Sequence, residues 1–322
     1  MKFKHTFNVF VDNFAVTYKQ LLYRIIIDLI AVFIIYLGIF PFIRELMSSE
    51  SFVSLIDGIK NFFANFFQGE VDSLSEISLK IRHAFESFIT LLQTKTTQFI
   101  LSGLLVLLIM LIKDWFLSLG NFAAAALVND KMSLHTNSPF LATLIKNLKE
   151  ASLYSAIYVP LSTLYNIVIV VAFFCLMFFL VTSILPFFIC LFIFVLLVVL
   201  SISLKMTFTT DWLPAIIRGK MGQREAFVYA FSRKNKNTAN VFSNFTVIIL
   251  LIFALNVATF ICTLGVGILI SVPSSYVIIL SFELVNYYDR EEIKYFIDKN
   301  TIIKPAKEHT LTREEFFRGD SD

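Results

Sequence analysis

Charge is what this sequence has least of. Only 16% of its 322 residues are Asp, Glu, Lys or Arg, against about a quarter in soluble globular domains. Hydrophobic residues make up 57%, and the mean hydropathy is +0.77. That composition excludes the soluble and the disordered classes and places the chain in a membrane. Cysteine is also scarce. Cys175, Cys190 and Cys262 all lie in apolar runs, where a thiol behaves as a small hydrophobe. An odd count without any Cys-x-x-Cys spacing excludes a disulfide framework and a zinc site. His5, His83, His135 and His309 are scattered, and the chain has neither a Gly-rich phosphate loop nor a Gly-x-Ser-x-Gly elbow. No catalytic constellation is visible, and no metal or cofactor is expected. Lys2, Lys4, Asp12 and Lys19 interrupt the first twenty residues, so a cleavable signal peptide is not expected either.

Long apolar runs are abundant. A hydrocarbon core of about 30 Å needs roughly 20 helical residues at about 1.5 Å each. Six stretches qualify: 25–43, 97–117, 154–180, 185–206, 241–263 and 265–286. Residues 151–204 carry no charge at all, too long for one crossing, and Thr182, Ser183 and Pro186 supply a turn. The sequence therefore predicts an all-α integral membrane protein with six transmembrane helices. Lys and Arg are retained on the cytoplasmic side. Counting Lys113 and Lys205 at the ends of spans 2 and 4, 22 of the 27 fall on one side and five on the other, all within 44–96. Both termini are then cytoplasmic in a cell membrane.

Between the spans, residues 1–24 place Phe3, Phe7, Phe10 and Phe14 at helical spacing, which predicts an amphipathic helix along the inner leaflet. The extracytoplasmic insertion 44–96 reads as two helices, one striped by Phe52, Leu55, Ile59 and Phe62, the other by Leu74, Ile77, Ile81 and Phe85. Residues 118–153 read as a cytoplasmic loop with an amphipathic helix that Ser138 and Pro139 open. The segment 207–240 is a basic cytoplasmic loop and amphipathic helix, and 287–322 is a cytoplasmic tail, richer in acids than bases.

Two stretches resemble each other. ALVNDKMS at 126–133 and AIIRGKMG at 215–222 stand eighty-nine positions apart, in two loops predicted on the same side. Phe7, Phe140 and Phe227 each lie fourteen residues before the apparent start of an odd-numbered apolar stretch, at Leu21, Tyr154 and Val241. Parallel internal repeats would produce both regularities; chance similarity in a Phe-rich chain is the alternative.

Few residues are candidates for chemistry. Arg24 and Asp28 lie four apart on one helix face of span 1; intramembrane ionisable groups are functional candidates, although Arg24 can also snorkel to the interface or pair with the carboxylate. Asn166 and Asn256 fall within spans 3 and 5, where amides bond between helices or contact a substrate. Lys113, Asp114, Trp115, Asp211 and Trp212 read as headgroup anchors. Arg218, Lys220, Arg224, Arg233, Lys234 and Lys236 form a basic face suited to anionic phospholipid, or serve topology alone.

DWLPAIIRGKMGQREAFVYAF at 211–231, a span, and TLGVGILISVPSSYVIILSFELV at 263–285 together resemble a bacterial membrane domain. That domain is fused to some glycerophosphodiester phosphodiesterases and also occurs in stand-alone relatives. The likeness covers mainly residues 205–288 and rests on Pro214, Ala215, Gly265, Gly267 and Pro273. It implies a six-helix membrane module; the soluble barrel that carries the hydrolase carboxylates has no counterpart in this chain. Two functions follow as expectations. One is a nonenzymatic scaffold or regulator whose partners are the lipid bilayer, anionic phospholipid or another membrane protein, with no nucleic acid. The other is a small transporter with a polar path between repeated units.

Overall fold

The computed structural model describes residues 2–68, 83, 85–87, 90, 93–182, 187–231, 238–305 and 309–312. Six of its helices are long and apolar enough to cross a membrane. In hydrocarbon a helix satisfies every interior peptide group from its own backbone, which is why the uncharged runs fold this way. In chain order the helices are α1 Lys2–Asp12, α2 Phe14–Met47, α3 Glu50–Gln68, α4 Thr96–Leu134, α5 Phe140–Lys146, α6 Leu148–Thr182, α7 Phe187–Thr209, α8 Trp212–Ile217, α9 Gln223–Phe231, α10 Thr238–Cys262 and α11 Ile268–Arg290. The turn expected at Ser183 and Pro186 lies outside the described residues. So does most of the second stripe of the insertion.

The chain forms two compact units, Ile27–Lys113 and Met1–Ile26 with Asp114–Asp322. In the smaller unit α2 and α4 run antiparallel. Asp28 pairs with Lys113 at 3.5 Å near one end, and Glu45 pairs with Lys95 near the other. Between them a Cβ on Gly38 would stand 2.8 Å from Leu105 Cδ2, so the two helices approach closely there. Among the described residues only Ala31, Ile39 and Ile109 of this unit are buried hydrophobics.

The larger unit has a deep core at one end, called basal below. Span 2 was expected to stop at Leu117, but α4 continues to Leu134. Ala123–Ala126 has the highest helix propensity available, and these small side chains let neighbours close in: Phe122 to Val128 are all buried. The core joins that stretch to Val9 and Val16, Ala151 and Tyr154, Trp212 to Ile216, and the last turns of α11. Trp212 is not the headgroup anchor that its position beside Asp211 suggested. It is fully buried, with its ring centroid 5.1 Å from that of Tyr154 and 5.0 Å from that of Phe227. The α8–α9 reversal folds it inward onto aromatic partners, which outcompete the interface for its large apolar ring.

The amphipathic face of α1 is likewise covered in part by protein. Phe3 stacks on Phe282 of α11 at 5.8 Å, whereas Phe7 stays exposed. Asn13 ends α1: its backbone N–H and its side-chain Nδ2 both donate to Val9 O, at 3.0 and 2.8 Å. Asn147 does the same to Thr143 O between α5 and α6, at 3.1 and 2.9 Å. A short helix, an asparagine corner and a long helix thus occur twice. The two motif copies, by contrast, differ in conformation. Residues 126–133 are helical throughout, while 215–222 closes α8 and turns through Lys220 at φ 51. Gly219 allows that turn, since a Cβ there would lie 2.6 Å from both Ala215 O and Tyr287 Oη.

At the opposite end, α10 and α11 are joined by a tight turn. Gly265, at φ 91, donates its N–H to Phe260 O at 2.8 Å, and Gly267 donates to Thr263 Oγ1 at 2.7 Å. Leu264 at its tip is 93% exposed. Part of the segment expected as a tail forms strands. β1 Tyr295–Phe296, β2 Thr301–Lys304 and β3 His309–Thr312 make an antiparallel sheet in that order. Asp298 Oδ1 accepts from the N–H groups of Asn300 and Thr301, both at 2.8 Å, and so sets the β1–β2 turn.

Candidate functional site

The basal end of α4, the α5–α6 corner and the end of α8 enclose a cavity of about 770 Å³. Both motif copies line it. The first supplies Asn129, Asp130 and Ser133; the second supplies Arg218, Lys220 and Met221; α5 and α6 add Lys146 and Glu150. The conformational difference between the copies serves this geometry. An uninterrupted helix offers one wall, and a helix end with its turn offers two cations from the other.

Local contacts fix several of these groups. Tyr288 Oη donates to Asn129 Oδ1 at 2.9 Å, and the Arg218 guanidinium lies 5.4 Å from the Tyr288 ring centroid. Ser138 Oγ donates to Asp130 Oδ2 at 3.3 Å, while Gln223 Nε2 donates to the Glu150 carbonyl at 2.9 Å. Three cations thus face two acids across the lining. Among the described residues, neither Lys146 nor Lys220 has an ion-pair partner. Cations and hydroxyls around a roomy space make an anion-binding chemistry.

A second, smaller cavity of about 190 Å³ lies within the span region of the same unit, lined by Arg24, Asp114, Ser118, Asn121, Ser162 and Tyr276 among others. Arg24 Nη2 donates to Asn121 Oδ1 at 2.9 Å, and its guanidinium stands 3.7 Å from the Tyr276 ring centroid. Gln20 Nε2 donates to the same Asn121 oxygen at 2.7 Å. Ser155 and Ser118 share a hydrogen bond at 2.9 Å. Polar side chains here bond one another across helices, while Arg24 Nε and Gln20 Oε1 stay buried without a hydrogen-bond partner among the described residues.

The candidates read from sequence therefore separate. Arg24 sits in the small cavity, and Asp28 takes Lys113 in the other unit. Asn166 Oδ1 accepts from Lys205 Nζ at 3.2 Å. Asn256 Nδ2 bridges Ile252 O and Ser275 Oγ, at 2.9 and 3.0 Å, an interhelical bond. Arg218 and Lys220 line the basal cavity, whereas Arg224 is exposed on α9. Arg233, Lys234 and Lys236 lie outside the described residues.

Where the end of α11 meets α9, Arg290 holds a compact polar cluster. Arg290 Nη1 pairs with Asp211 Oδ2 at 2.5 Å, and Arg290 Nη2 bonds Tyr229 Oη at 2.5 Å. Burial, and then its bond to Glu291, push the Tyr229 phenol well above its ordinary range. No family model, curated protein or solved structure matches this chain. Its site must be read from its own residues.

Sequence reasoning missed Lys146, Glu150 and Asn129 in the cavity, and Asn121 beside Arg24. One signal was present. Leu-Val-Asn occurs at 127–129 and again at 284–286, and the Leu and Val of both triplets lie in the basal core. The ends of α4, α8 and α11 thus converge where only two copies were recognised.

Proposed function

We propose that this chain is a nonenzymatic multi-pass membrane protein, a scaffold or regulator that holds the headgroup of an anionic phospholipid in its basal cavity. The observation that carries the reading is the placement of Lys146, Arg218 and Lys220 around about 770 Å³ of space lined by both motif copies. The excess of Lys and Arg in the loops at that end supports a cytoplasmic orientation, in which the cavity opens to the inner leaflet. Each cation near such a surface contributes about 1 kcal/mol, so two removed together weaken binding roughly thirtyfold. The test reconstitutes the full chain in phosphatidylcholine nanodiscs containing a minor share of phosphatidylglycerol and measures how much phosphatidylglycerol the protein retains. Arg218→Gln with Lys220→Gln is expected to lose the enrichment, and Arg224→Gln to keep it. Equal retention by all three proteins would sink the reading.

A second reading, a small permease, is favoured by one observation: Arg24, Asp114, Ser118 and Ser162 line a polar cavity within the spans. Proton or solute flux into proteoliposomes that Asp114→Asn abolishes would support it over the first.

A further inference from the structure

A groove of about 300 Å³ runs between α6 and α7, walled by Leu161, Leu164, Val168 and Phe208 and closed at its basal end by Phe231. Leu164, Val168 and Phe208 are exposed, so in a bilayer the groove opens sideways to acyl chains. From Tyr158 to Val168 it follows ten helical residues, about 15 Å, enough for much of one acyl chain. Within it stands a single cation, Lys205. Its Nζ donates to Ser162 Oγ at 2.5 Å and to Asn166 Oδ1 at 3.2 Å, and lies 6.0 Å from the Tyr158 ring centroid. Each of these partners is neutral. Ser162 and Tyr158 also line the Arg24 cavity, and among the described residues that line the two cavities only Asp114 is acidic, on the Arg24 side. Among the described residues no carboxylate touches Lys205 Nζ, and Asp114 offsets its charge only from the adjoining cavity, so an ammonium in apolar surroundings whose direct partners are neutral leaves a place for an anion.

We propose that this groove binds a long-chain fatty acid, its carboxylate on Lys205 Nζ and its chain along Leu161, Leu164 and Val168. One charge and a space of about 300 Å³ favour this occupant over a two-chain phospholipid. Lys205 also lies a full turn inside the end of α7. The site is separate from the basal cavity and does not depend on the headgroup reading.

The full chain in phosphatidylcholine nanodiscs is titrated with palmitate labelled with ¹³C at the carboxyl carbon, and the carboxyl resonance is followed. A saturable bound signal is expected. Lys205→Gln weakens binding about tenfold, the loss of one charge-assisted contact, and Lys205→Arg largely restores it. Val168→Trp fills the groove without touching the cation and also weakens binding, which keeps the test decisive if Lys205→Gln folds poorly. Arg218→Gln with Lys220→Gln leaves palmitate binding unchanged. Unaltered binding in both Lys205→Gln and Val168→Trp, or displacement of palmitate by phosphatidylglycerol at equal concentration, would overturn the proposal.

Discussion

The two compact units solve the same problem with different means. In Ile27–Lys113 two antiparallel helices meet along a thin seam, with Gly38 against Leu105 and an ion pair near each end. In the larger unit a core of aromatics, alanines and aliphatics draws on the ends of most of its helices. Lipid tails are as apolar as leucine, so little hydrophobic force drives helices together within a bilayer. At the basal end, where loops and short helices meet water, burial recovers its usual value of about 25 cal/mol per Å². The difference teaches that this chain's tertiary stability is concentrated at one end of its helices, beside the polar cavity.

The sharpest break of that contrast is Trp212→Ala against Ile109→Ala. Emptying the fully buried Trp212 site is expected to destabilise by about 3–5 kcal/mol, and the seam residue by less than half of that. Thermal unfolding in one detergent ranks the two, and equal shifts would refute a localised core. The ion pairs give the next comparison. Asp211 is 2% exposed against Arg290, so Asp211→Asn removes a buried charge-assisted bond while Arg290 keeps Glu291 at 3.1 Å, and costs about 2 kcal/mol. Asp28 is 53% exposed beside Lys113, with no buried carboxylate to lose, and Asp28→Asn is expected to cost less than Asp211→Asn. Denaturant midpoints separate the outcomes.

Glycine substitutions refine the picture further. Gly219→Ala drives a Cβ into a backbone carbonyl and is expected to cost about 1–3 kcal/mol and to disturb the Lys220 wall of the cavity. Gly38→Ala meets only the movable end of Leu105, and its melting temperature should shift little. The smallest effect concerns His5, whose Nδ1 lies 3.3 Å from Tyr295 Oη. Burial lowers its proton affinity, with Lys4 and the amino terminus adding to the effect and Asp289 partly opposing it. The folded chain then binds this proton less readily than the unfolded one, so stability is unaffected above the ordinary histidine value of about 6.5 and declines as pH falls below it. His5→Gln should flatten that decline in a pH series of melting curves; an unchanged slope would assign it elsewhere.

The six long helices were legible because lack of charge over twenty residues has one solution in lipid. Three features were not, each for a physical reason. Asp211 and Trp212 carry the chemistry of a headgroup anchor, and only the reversal into α9 turns them inward. The basic loops announced Arg218 and Lys220, but Lys146 and Glu150 join them through an asparagine corner that no periodicity reports. The carboxyl segment looked like a solvated tail because its charges outweigh Tyr295, Phe296, Ile302 and Ile303, the residues that bury its sheet.

The α10–α11 turn carries a consequence of its own. With Gly265 and Gly267 bonded back to Phe260 and Thr263 and only apolar side chains at its tip, this corner drags neither a charge nor, at those two glycines, an unsatisfied amide with it. Helices of 25 and 23 residues, about 37 and 34 Å long, can therefore sink or rise with membranes of different thickness.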